Sequence, residues 1–200
     1  MNNVSINKKM KLSEHLASPS EAALSQISEL NGIRLSPHFT LGELCKTSYH
    51  TTDGNIPSRV AIENLKNICV NWLEELRFKY NELYGEEVKG KLKGSYRFAQ
   101  ELKGQYSEIP IIINSGYRSE EVNRKCGGAK GSNHLTGCAV DIGCLGPEQM
   151  IRYACILLDT ADENGWKFDE LIQEKRGTTY WVHFAVKPKD NRRKILFDCK

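Results

Sequence analysis

The sequence predicts an α+β fold in which helices pack on a small antiparallel sheet. Three observations carry it: a long apolar stripe at helical spacing, a second helix with clear ends, and short β-branched runs between turn signals. The stripe lies over residues 60–84, where Ile62, Leu65, Ile68, Cys69, Trp72, Leu73 and Leu76 put one apolar face toward a core. The second helix is Pro147–Asn164, with Pro at its start, where a missing N–H costs nothing, and Asn164-Gly165 at its end.

The strands follow from composition. Ile109-Pro110-Ile111-Ile112-Ile113 is continuous and mostly β-branched, which predicts a strand covered on both faces and ended by Asn114-Ser115-Gly116. Ala139-Val140-Asp141-Ile142 predicts another, and residues 169–173 and 180–186 predict two more joined by a polar turn. Glu120–Lys125 reads as a short helix and residues 127–131, rich in glycine, as loop.

Around this unit the chain is more polar. Residues 1–33 form an N-terminal arm or helix, because residues 20–30 carry apolar side chains at helical spacing and Asn31-Gly32 supplies a stop. Residues 34–200 make up the main domain. Within it, residues 85–108 are charged and glycine-punctuated, with a short helix expected near residues 96–102, and read as a surface insertion.

Bulk properties narrow the function. With 200 residues, 40% hydrophobic and 26% charged, the chain suits one domain, and no apolar run approaches a membrane span. The net charge of +3 is small, and the basic clusters at 89–93 and 187–194 lack the interleaved aromatics of a single-strand nucleic-acid binder. No apolar stretch of signal-peptide length follows the first lysines, so cytoplasmic synthesis is expected. Seven cysteines without a C-x-x-C pair point to reduced, packed thiols rather than a disulfide scaffold or zinc ribbon. A monomer is expected.

One segment carries chemistry. In Ser132-Asn-His-Leu-Thr-Gly-Cys-Ala-Val-Asp, a straight helix or strand would hold His134 and Asp141 about 10 or 23 Å apart, too far to share an ion. Gly137 between them permits a sharp turn, so loop, turn and strand would fold His134 back toward Asp141. Catalytic zinc takes three ligands from histidine and carboxylate and leaves a fourth position open. His183, in Trp181-Val182-His183-Phe184, is the natural third ligand, although a histidine on an apolar strand is more often a hydrogen-bonded core residue. No H-E-x-x-H helix is present.

Ser132, His134, Gly137, Ala139 and Asp141 together resemble the Ser-x-His-x-x-Gly-x-Ala-x-Asp signature of the zinc D-Ala-D-Ala carboxypeptidases and phage endolysin peptidases, whose fold is shared with the hedgehog signalling domain. The resemblance extends through Ser115-Gly116-Tyr117-Arg118-Ser119, Asn123 and Gly127-Gly128-Ala129 to Trp181-Val182-His183. It also takes in Ser36-Pro-His-Phe-Thr-Leu-Gly-Glu-Leu, covering about residues 35–186.

The resemblance implies a zinc metallopeptidase that hydrolyses peptide bonds in peptidoglycan stems or cross-links, as a carboxypeptidase or an endolysin-type endopeptidase, with Zn2+ on His134, Asp141 and His183. It implies that Arg118 binds substrate and assists catalysis. Ser132 is expected beside the metal as a substrate partner or as a hydrogen-bond partner that orients a ligand, and Tyr117 as a substrate contact or a core residue. Many carboxypeptidase members place an acid three positions before the last histidine, where this chain has Tyr180. The general base is therefore assigned to Glu174, which closes the strand expected beside that of His183, with Glu170 and Asp169 as rivals. The contrasting reading is a zinc-binding module of the same fold without catalysis. A cytoplasmic chain of this kind would act on the wall after release, as a phage-type lysin.

Overall fold

The structure is a computed structural model and describes residues 30, 32–92 and 108–199. The helices expected over residues 20–30, Leu30 apart, and near residues 96–102 lie outside the described residues.

The apolar stripe forms the principal helical layer. A short helix α1 (Leu41–Leu44) is capped by Thr40, whose hydroxyl accepts from the Glu43 N–H at 3.2 Å. Helix α2 (Arg59–Ile68) is capped in the same way by Ser58. It runs without interruption through a π-turn, Cys69–Leu73, into α3 (Glu74–Leu92). Leu65, Ile68, Cys69, Trp72, Leu73 and Leu76 are all buried, as the spacing requires. The helix passes Tyr84 and continues to Leu92. Tyr80, Tyr84 and Val88 keep a four-residue step into the core, a period that Gly85 and the surrounding charges conceal in the sequence.

Among the described residues, five strands make one sheet in the order β1-β2-β4-β3-β5: β1 (Ile112–Ser115), β2 (Ala139–Cys144), β3 (Glu170–Arg176), β4 (Thr179–Ala185) and β5 (Lys194–Cys199). The first four pair antiparallel, as expected, but β5 lies parallel to β3, so the sheet is mixed. Strand β5 escaped the sequence reading because the basic run before it reads as solvated surface and its Ile195, Leu196 and Phe197 remain largely exposed.

The isoleucine run also departs from expectation. Strand β1 begins only at Ile112, which is 47% exposed, while Ile111 and Ile113 are buried. As an edge strand it has one covered face and therefore alternates, whereas a strand covered on both faces would bury every position. Helix α4 (Glu120–Lys125) and helix α5 (Pro147–Asn164) form where predicted.

The sheet divides the molecule. Val140, Ile142, Leu171, Val182 and Phe184 point to one face and are fully buried against α5, whose Met150, Tyr153, Ala154, Leu157 and Ala161 recur at three- and four-residue steps. Trp72 of the π-turn closes this core, with ring centroids 5.4 Å from Trp166 and 4.9 Å from Phe184. Each fully buried side chain of this size contributes about 1.5–3 kcal/mol. Because side chains alternate along a strand, Asp141 and His183 emerge on the opposite face. The thiols of Cys45 and Cys144 are pushed up to about 12 by burial, consistent with packed, unreactive sulfurs.

Candidate metal centre

The turn that carries His134, the first candidate ligand, is built by its own sequence. Asn133–Thr136 forms one 3-10 turn, Ser132 caps it by accepting from the His134 N–H at 3.4 Å, and Gly137 ends it at φ 70°. A Cβ on Gly137 would lie 2.3 Å from the Ala61 carbonyl oxygen, so both its conformation and its contact with α2 require glycine. The Cys138 N–H then bonds to the Asn133 carbonyl at 2.9 Å, and the chain enters β2 with His134 folded over it.

Strand pairing brings up the other two candidate ligands. Asp141 is the direct partner of Ser115 on β1 and of His183 on β4, and His183 is the partner of Ile172 on β3. Three donor atoms converge from separate elements. His134 Nε2 lies 3.3 Å from Asp141 Oδ1, His183 Nδ1 lies 2.9 Å from the same oxygen, and the two ring nitrogens are 3.3 Å apart. All three residues are buried.

Each imidazole is oriented from behind. His134 Nδ1 lies 2.6 Å from the Gly116 carbonyl oxygen, which makes Nδ1 the N–H donor and leaves the Nε2 lone pair facing the triad. Gly116 approaches so closely that a Cβ there would sit 2.4 Å from the Leu44 carbonyl. His183 Nε2 faces Glu170 Oε2 at 3.6 Å, so its Nδ1 faces the triad. Asn133 Nδ2 donates to both Asp169 (3.0 Å) and Glu170 (3.1 Å), tying the His134 turn to β3.

The electrostatics follow this geometry. Burial alone would raise the Asp141 carboxyl, but the two histidines beside it hold it well below the usual carboxylate range. Burial likewise opposes a charge on His183, yet Asp141 and Glu170 raise the ring to about 9. Contact with His183 lowers Glu170 to about 2. Glu174 moves the other way, raised by burial and by the Asp141 charge.

An open cleft of about 830 Å3 runs over the triad and is also lined by Arg118, Ser132, Ile172, Glu174, Trp181 and Leu196. Register explains this wall, since Glu174 pairs with Trp181 and sits two residues from Ile172 on the triad's face. The Arg118 guanidinium bonds to Asp141 Oδ2 and, through Nε, to the Ser115 hydroxyl at 2.8 Å. Asp169 is fully buried and held by Arg192 at 2.5 Å and Lys187 at 3.0 Å, away from the cleft. Glu170 is behind His183, engaged by Arg192 and Lys194.

Two tyrosines fall elsewhere. Tyr117 packs against the core and does not line the cleft, and Tyr180 turns to the opposite sheet face beside Ile109, Leu145 and Tyr153. In this register position 180 cannot supply a group to the triad, whereas 174 can. The sequence reading missed Asn133 as the bridge between the His134 turn and the Asp169–Glu170 pair, of which Glu170 backs His183. Its partners stand 36 and 37 residues away, and only its position beside His134 in the motif marked it.

The family model for peptidase M15 matches residues 37–167, well over half of the chain. The chain belongs to the peptidase M15 family. As a member it is a metallopeptidase, in agreement with the resemblance of its Ser132-to-Asp141 motif. No curated protein matches the chain. The match contains His134 and Asp141 but stops before His183 and Glu174, which this M15 chain brings to the site through the β2–β4–β3 ladder.

Proposed function

We propose that this M15 peptidase is zinc-dependent and hydrolyses peptide bonds of bacterial peptidoglycan. The observation that carries the reading is the convergence of His134 Nε2, Asp141 Oδ1 and His183 Nδ1, with Glu174 on the same face of the sheet. Two imidazoles and one carboxylate, each ring backed by an oxygen acceptor, fit the donor set of a catalytic zinc site with one position left for water.

Zinc bound there would lower the pKa of a water molecule and polarise the scissile carbonyl. Glu174 takes the proton of the attacking water on its carboxylate and passes it to the leaving amine. Its raised proton affinity suits a group that must both accept and release a proton. Arg118, already fixed by Asp141 and Ser115, turns its remaining N–H groups to a substrate carbonyl or carboxylate. The Ser132 hydroxyl beside His134 is a further substrate partner. Tyr117 serves as packing against the core. Action on the wall from the cytoplasm would follow release of the protein, as in a phage-type lysin.

The test is digestion of purified peptidoglycan with mass spectrometry of the fragments, comparing wild type with His134→Ala and Glu174→Gln. New amine and carboxylate termini from wild type alone are expected. Unchanged cutting by His134→Ala would reject the metal mechanism, and unchanged cutting by Glu174→Gln would reject the base.

A further inference from the structure

A second groove, of about 590 Å3, lies beside the C-terminal end of β4 and shares no residue with the metal cleft. Asn64, Asn67 and Asn71 line it from α2 and the π-turn, spaced by three and four residues so that their amides share one helix face. Trp166, Lys167 and Lys187 line the other side.

The amides are only partly used. Asn71 Nδ2 donates to Asn67 Oδ1 at 2.8 Å, and Asn64 Nδ2 donates to the Thr136 carbonyl at 2.9 Å. Among the described residues this leaves the Asn67 Nδ2 donor and the Oδ1 acceptors of Asn64 and Asn71 without a protein partner. Trp166 is half-buried and fixed edge-on against Trp72 at 5.4 Å, so the indole is a rigid apolar surface beside this amide row. Lys187 is anchored on Asp169 at 3.0 Å, and among the described residues no carboxylate lines the groove.

These features select a class of ligand. An apolar helix or side chain would leave the amide row desolvated and unpaired, an unfavourable exchange for groups that water otherwise satisfies. A hydroxyl- and acetamide-bearing sugar offers donors and acceptors at its rim for the asparagines and a C–H face for the indole. The cationic rim without acids also tolerates carboxylates on such a polymer. The geometry points to a second, non-catalytic groove that binds an N-acetylated glycan strand. The inference stands on these residues and does not depend on the peptidase reading.

The probe is the hexamer of β-1,4-linked N-acetylglucosamine, titrated into full-length, zinc-loaded protein and followed by side-chain amide and indole N–H resonances and by calorimetry. Saturable shifts at Asn67, Asn71 and Trp166 are expected, with affinity at least tenfold weaker in Trp166→Ala and at least threefold weaker in Asn67→Ala. Because Trp166 packs on Trp72, Asn67→Ala, an exposed position, keeps the test decisive if the tryptophan variant folds poorly. Absence of shifts at these three residues, shifts confined to Trp181 in the metal cleft, or wild-type affinity in Asn67→Ala would overturn the proposal. Tighter binding of the same groove to a short DNA strand or an acidic peptide would overturn it as well.

Discussion

His183 and Asp141 face each other across the β2–β4 ladder, with Nδ1 2.9 Å from Oδ1, so the rigid backbone of two paired strands sets their distance. His134 reaches the same oxygen from a separate turn. A site assembled this way should lose its metal as a unit. His183→Ala is expected to purify with far less than one zinc per chain and to hydrolyse peptidoglycan at background rate, as read by elemental analysis beside the digestion assay. A variant that retains a full equivalent of zinc would remove His183 from the ligand set.

Glu174 and Glu170 lie four residues apart on one strand yet should fail differently. Glu174→Gln keeps the triad intact, so zinc content should stay at wild-type level while kcat falls by about 100-fold or more, the usual contribution of a positioned proton carrier. Glu170→Gln weakens the partner of His183 Nε2, so zinc affinity should fall by about 10–100-fold, with hydrolysis recovering in excess zinc. Exchange of these two phenotypes in competition titrations against a chelator would exchange the roles of the residues.

The pH response of stripped protein follows from His183. Its ring titrates near 6.5 when unfolded and is raised to about 9 in the fold, so its contribution to stability is full below about 6.5 and is lost as pH rises through about 9. Asp141, depressed in the fold, contributes above its ordinary range and loses that contribution as pH falls. Thermal unfolding in chelator should therefore show Tm decreasing between about pH 6.5 and 9. His183 would have to give up that proton to hold zinc, so zinc affinity should instead increase over that interval. A flat or rising Tm for stripped protein across the same window would contradict the assigned His183–Asp141 coupling.

Much of this site was legible because local pattern and backbone conformation coincide in residues 132–141. Ser132 caps, Gly137 turns, and Asp141 alternates against Val140 and Ile142. Helix α5 was equally plain, since Pro147 and Gly165 mark both ends. What depended on long-range pairing was hidden. The general-base argument required the β3–β4 register, which places Glu174 on the triad's face and Tyr180 on the other. Strand β5 pairs parallel to β3 across an exposed edge, so burial imposes no alternation on Ile195, Leu196 and Phe197. Strand β1 was misread for a related reason, because an unbroken isoleucine run does not reveal that Ile112 faces outward at the edge.

Gly137 offers a test of the turn that underlies the candidate metal centre. At φ 70° an alanine is strained, and its Cβ would also meet the Ala61 carbonyl oxygen at 2.3 Å and carbon at 2.9 Å, both backbone atoms of α2 that cannot rotate away. Gly127 separates the two effects, for it has φ 75° but open space around its Cβ position. Gly127→Ala should cost only the conformational strain, about 1 kcal/mol. Gly137→Ala should cost roughly 2–4 kcal/mol, a Tm decrease of about 5–15 °C for a chain of this size, because α2 or the His134 turn must shift. Since His134 lies three residues before Gly137, weakened zinc binding should accompany the lower Tm in Gly137→Ala and be absent in Gly127→Ala. Equal effects of the two substitutions in calorimetry and zinc titration would show that the approach to α2 is not what positions His134.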